Sequence, residues 1–165
     1  MQETTKTTRM QSLVVLFQMH TDFFPNALEG ITDEDAHKRL GTKANHIAWI
    51  TGSLVHSRFE LARLLGIEKN QEAGELFKDN KGIQDDTVYP TIEAYKKDWD
   101  IISPSLKEGL ISVSDEKLDT KFEMMPGMTM SHFDMIAFTI YREANCLGQI
   151  ALWRRLLGYE AMKYM

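Results

Sequence analysis

The chain has 165 residues, of which 43% are hydrophobic and 26% charged, with a net charge of −5 and one cysteine. This is the size and balance of one globular domain, large enough to bury about 70% of its unfolded surface without a disulfide or a structural metal. The acidic balance (pI about 5.5) disfavours nucleic acid and anionic lipid as partners, and the lone Cys146 excludes an internal disulfide and suits a reducing compartment.

Residues 1–6 read as a disordered tail, and the polar stretch to Met10 lacks the apolar segment of a secretory signal. The longest apolar run, Leu13 to Phe17, is far too short to span a bilayer. The expected setting is the cytoplasm. A first helix is predicted from Thr7 to Leu28, with Met10, Leu13, Val14, Phe17, Phe24 and Leu28 near helical spacing and Pro25 distorting the last turns. Thr32-Asp33-Glu34-Asp35 then reads as a capped helical turn.

A second helix is predicted from Ala44 to Leu65, capped by Asn45 or Thr42 and closed by Gly66. The polar stretch from Ile67 to Tyr89 reads as a long crossover loop, and loops of that length often have a functional role. The third helix follows Thr91 and runs to Ile111, with Pro104 predicting a kink or break. Ser112 to Met128 is a second connection, marked as a turn by Pro126-Gly127. The fourth helix starts at Thr129 or Ser131 and ends before Gly158. No segment reads as a strand. The pattern predicts an all-α, single-domain four-helix bundle over 1–165 with long crossover connections.

Trp49, Trp99 and Trp153 read as core, the methionines as gap-fillers, and His20, His37 and His132 as surface or capping residues. The sequence carries no Gly-rich phosphate loop, His-Glu-x-x-His, Cys-x-x-Cys or Gly-x-Ser-x-Gly motif.

Two segments carry a family signal. Asn45-His46-Ile47-Ala48-Trp49-Ile50-Thr51-Gly52-Ser53-Leu54 resembles the second helix of the DinB-like (YfiT-like) family. Arg142-Glu143-Ala144-Asn145-Cys146-Leu147-Gly148-Gln149-Ile150 resembles its last helix, continued by Leu152 to Gly158. The resemblance covers roughly Leu13 to Gly158. It implies a four-helix bundle, often dimeric, in a family of metal-dependent enzymes that includes relatives of thiol S-transferases. Those proteins hold a divalent metal such as zinc or nickel with three histidines. One follows the glycine of the second-helix motif, and two lie four residues apart on the last helix. Residues at i and i+4 share a helix face, so both can reach one ion.

At those three positions this chain has Ser53, Arg142 and Cys146. Serine is a poor ligand, and a permanently charged guanidinium repels a cation. No metal is therefore expected. The expectation is a pocket at Ser53, Arg142 and Cys146, with His46, Trp49, His56, Glu143 and Gln149 around it, binding a small anionic or thiol ligand in a homodimer.

Several readings stay open. Arg142 is either an anion-binding group or the partner of Glu143 or Glu60. Cys146 is either a thiol activated by that arginine or an inert core residue. A shifted site of His56, Cys146 and Glu143 would make the protein a rearranged metal- or thiol-dependent hydrolase or transferase. His46 is read as a satisfied residue near a helix start. Gly148 reads as an allowance for close helix packing beside Gln149.

Overall fold

The computed structural model describes residues 4–164. The start of the expected N-terminal tail, residues 1–3, lies outside the described residues. From residue 4 onward that expectation fails. Thr5 and Thr7 are buried, and the Lys6 amide donates to the Ile111 carbonyl at 2.8 Å, which ties the chain start to a helix end.

The described residues form a mainly α structure with one small sheet. The elements are α1 (Gln11–Leu28), α2 (Asp33–Ala36), α3 (Ile47–Leu64), α4 (Ile92–Ser112), α5 (Asp115–Asp119), β1 (Lys121–Met125), β2 (Met128–Ser131) and α6 (His132–Leu156). The four long helices enclose one core, since α3 packs on α4 and α6 while α1 packs on the same two from the opposite side. Phe17, Phe24, Ile50, Leu54, Phe59, Tyr95, Trp99, Ile102, Ile136, Ile140 and Ile150 fill it. Among the described residues no helix is long and apolar enough to cross a membrane.

The caps follow from residue chemistry. Thr91 caps α4, and Ser131 caps α6 in a capping box with Asp134. For α3 the cap is His46, whose imidazole Nδ1 accepts the Trp49 amide at 3.1 Å; neither Asn45 nor Thr42 takes that role. Gly66 follows α3 with φ +84, the left-handed step that ends it.

Pro25 and Pro104 both sit inside continuous helices, so the break expected at Pro104 does not occur. Pro25 lacks the amide that would bond the Thr21 carbonyl. The Trp99 indole N–H on α4 lies 3.4 Å from that same oxygen. A core side chain thus satisfies the acceptor that the proline leaves free.

The expectation of no strand is also corrected. Between α5 and α6, β1 and β2 pair antiparallel around Pro126-Gly127, with Lys121 opposite Ser131 and Glu123 opposite Thr129. Gly127 has φ +80, the left-handed second corner that a type II turn with proline at its first corner requires. Met124 has no cross-strand partner, which makes a bulge next to the turn. Four- and five-residue strands dominated by Lys, Glu and Met lack the β-branched alternation that marks longer ones, so only the turn was legible.

Candidate functional site

The middle of α3 is built from small residues, and two other parts of the chain use the space they leave. At Gly52, a Cβ would lie 2.3 Å from Phe77 Cζ and 2.5 Å from the Tyr95 hydroxyl. Glycine here lets Phe77, from the long 67–89 connection, sit directly on the α3 backbone. Phe77 is buried and stacks loosely among Trp49, His56, Tyr89 and Tyr95. The Glu72 amide donates to Asp98 on α4, fixing the same segment at a second point. Desolvation holds the Asp98 carboxyl above its ordinary range.

This anchored segment, α3, α6 and the β-hairpin enclose a half-open cleft of about 920 Å³. Trp49, Ser53, His56 and Ser57 form the α3 wall, and Met135, Phe138, Thr139 and Arg142 the α6 wall. Gln71 and Phe77 close one side, and Phe122 and Met124 of β1 the other. His56 is oriented by Gln71, with Nδ1 at 2.9 Å from Oε1, and its Nε2 lies 3.7 Å from Glu60. The Trp49 indole N–H and the Gln71 amide nitrogen are buried without a hydrogen-bond partner among the described residues.

Arg142 reaches from the α6 wall across to α3. Its Nη2 donates to Ser53 Oγ at 2.6 Å, and its Nη1 donates to the Ser53 carbonyl at 3.2 Å and to Ser57 Oγ. The side chain is half-buried. Among the described residues no carboxylate pairs with it, so neither Glu143 nor Glu60 is its partner. Glu60 instead pairs with Arg63 on the exposed side of α3.

Glu143 turns the other way, into the core. There it meets Arg58, which the sequence reading did not single out. Arg58 Nε donates to Oε1 at 2.6 Å and Nη2 to Oε2 at 2.9 Å, and His20 Nδ1 lies 3.1 Å from Oε2. Arg58 also donates to Thr21 Oγ1 and Ser103 Oγ, and its guanidinium lies 3.4 Å from the Trp99 ring centroid and 3.9 Å from that of Phe17. Burial alone would raise the Glu143 carboxyl, but Arg58 and His20 outweigh it and hold it below its ordinary range. Burial pulls Arg58 downward, yet a guanidinium stays protonated in proteins. The pair is therefore ionic. The one available signal for Arg58 was an arginine at a helix position flanked by apolar residues, Val55, Phe59, Leu61 and Ala62.

The other expected site residues scatter. Cys146 is buried and does not line the cleft; desolvation pushes its thiol up despite the nearby Arg142 charge. It therefore lacks the lowered pKa of a nucleophile. His46 lies at the far end of α3 against His37 and Tyr89. Gln149 bonds Asn145 on the outer face of α6. Gly148 is exposed, and a Cβ there would meet nothing within 4 Å, so among the described residues no helix packs on it. His20 and His132 are buried rather than superficial. Trp99 and Trp153 are core as expected, while Trp49 is half-buried in the cleft wall. The structure brings together Ser53, Arg142, Trp49 and His56; it does not bring His56, Glu143 and Cys146 together.

A divalent cation does not suit Ser53, Arg142 and Cys146. The guanidinium is hydrogen-bonded to Ser53, which sets a positive charge at the place an ion would need. Among the described residues no three His, Cys, Asp or Glu side chains gather in a metal-binding group. No family model matches the chain, and no curated protein matches it.

Proposed function

We propose that the chain is a DinB-like four-helix bundle that binds a small organic anion through Arg142 in place of a divalent metal. The observation that carries this reading is a half-buried guanidinium lining a cleft with no carboxylate partner among the described residues. Buried and half-buried charges are normally paired within the fold. Ser53 and Ser57 fix the guanidinium, so a ligand meets donors already in place. Calorimetric titration of a set of small organic acids tests it. Binding to the natural chain and its loss in Arg142→Met is the expected result. Equal binding by both proteins, or none by either, overturns it.

The reading extends to a homodimer through the outer face of α6. Tyr141, Leu152 and Leu156 are 66%, 59% and 58% exposed on that face, with exposed Ala144 and Gly148 between them. A two-fold axis through Gly148 would set Leu152 of one copy on Ala144 of the other and Tyr141 on Arg155, a self-complementary pattern. Sedimentation of the natural chain and of Leu152→Asp tests it. A dimer that the substitution splits is expected, and a monomeric natural chain overturns it. The single buried cysteine suits a reducing, cytoplasmic setting.

A further inference from the structure

The two halves of the cleft together specify the kind of anion, a deduction that rests on the anion-binding reading above. We infer that the cleft takes a monocarboxylate with an apolar body. The carboxylate sits on Arg142 and the body lies along Phe138, Met135, Phe122 and Met124.

The head group follows from charge and geometry. Of the other cations around the cleft, Arg63 is paired with Glu60 and Lys78 with Glu75, and Lys81 donates to the Glu75 carbonyl. Lys81 keeps its charge, since a carbonyl is neutral, but it is exposed, and the carboxylates of Glu72 and Asp79 line the same cleft. Arg142 is the cation of the α6 wall with no acidic partner among the described residues, and those nearby carboxylates disfavour a phosphate dianion more than a monoanion. Three of the five Arg142 N–H donors go to Ser53 and Ser57. The Nε–H and the second Nη2 hydrogen remain. Arg58 uses Nε and Nη2 to hold the Glu143 carboxylate in a two-pronged pair in the same molecule. Arg142 has that fork free.

The body follows from the walls. A bare carboxylate would leave most of a 920 Å³ cleft unfilled. Phe138 is 45% exposed and Met124 36% exposed, and both line it beside Met135 and Phe122. Large apolar side chains left open on one side of a cleft are surface that an apolar ligand would cover. Two of the four are methionines, whose unbranched chains adapt to the shape placed against them.

The test titrates octanoate, butyrate and octanol into the purified chain at pH 7.5 by calorimetry, with Arg142→Met and the uncharged Phe138→Ser in parallel. A fully buried methylene is worth roughly fourfold in affinity, and the four extra ones of octanoate lie in a half-open cleft. Octanoate is therefore expected to bind at least about tenfold more tightly than butyrate. It should also bind at least about tenfold more tightly than octanol. Arg142→Met should remove the preference for the acid over the alcohol, and Phe138→Ser should reduce the preference for the longer acid while leaving butyrate binding unchanged. Equal binding of butyrate and octanoate would overturn the apolar body while leaving the anion site in place. Equal binding of octanoate and octanol would overturn both the carboxylate and the anion-binding reading beneath it. Binding of other acids with no binding of octanoate would overturn this inference alone. Circular dichroism establishes that each variant is folded, and Phe138, being exposed, is a mild site for substitution.

Discussion

Arg58 on α3 and Glu143 on α6 meet in the middle of the core through two parallel hydrogen bonds of 2.6 and 2.9 Å, both side chains almost wholly shielded from water. The guanidinium lies between the rings of Phe17 and Trp99 and also reaches Thr21 on α1 and Ser103 on α4. One ion pair thus engages all four long helices. Such a pair contributes little net stability against an apolar replacement, but it leaves an uncompensated charge when half of it is removed.

Glu143→Gln is accordingly expected to destabilise the chain by about 3–5 kcal/mol. A double replacement, Arg58→Met with Glu143→Met, should recover most of that loss. Urea denaturation of the three proteins checks the expectation. A double variant as unstable as the single one would show that the hydrogen bonds to Thr21 and Ser103 matter more than the pair.

Gly52→Ala should push Phe77 and Tyr95 off the α3 backbone, because the added Cβ would overlap both rings. Overpacking of this kind costs about 1–3 kcal/mol. The cost should be local, releasing the 67–89 connection before the helices. Faster proteolysis within that segment, with little change in helical circular dichroism, is the predicted result.

Acid should weaken the start of α3. Burial, then the neighbouring His37 and Arg39, pushes the His46 imidazole down to about 4. Its Nδ1 lone pair caps the helix, so the folded state needs it neutral. The unfolded chain takes up the proton near the ordinary histidine value of about 6.5. The stabilisation is therefore complete above about pH 6.5 and is lost as the pH falls towards 4, by on the order of 2 kcal/mol. His46→Asn keeps a capping acceptor that does not titrate. Its stability should vary less across that window, as thermal melts at pH 7, 6, 5 and 4 would show.

Placing histidine at positions 53, 142 and 146 together tests the family resemblance directly. The Arg142–Ser53 hydrogen bond shows that these two helix positions face each other, and position 146 is one helical turn from 142. The triple variant should retain about one zinc or nickel ion per chain after dialysis. Elemental analysis showing no more metal than in the natural chain would count against the DinB-like reading.

The sequence by itself determined the four long helices, while the short α5 was read only as part of a connection. Apolar spacing, Thr91 and Ser131 as caps, and Gly66 and Gly158 as stops are local signals, and each depends on residues a few positions apart. The DinB-like resemblance grouped Ser53, Arg142 and Cys146 in one pocket and left Glu143 or Glu60 as a partner for Arg142; the structure joins Arg142 to Ser53 and leaves Cys146 out of the cleft. Other features depended on what lies across the core. His46 displaces Asn45 as a cap because its ring is held by His37 and Tyr89. Pro25 and Pro104 remain within helices, the first because Trp99 supplies the missing donor. Adjacent residues Arg142 and Glu143 differ by about 100° around the helix. That rotation sends one into the cleft and the other into the core, and nothing in their order along the chain says which. Only packing against α3, where Ser53 and Ser57 face one side and Arg58 the other, decided it.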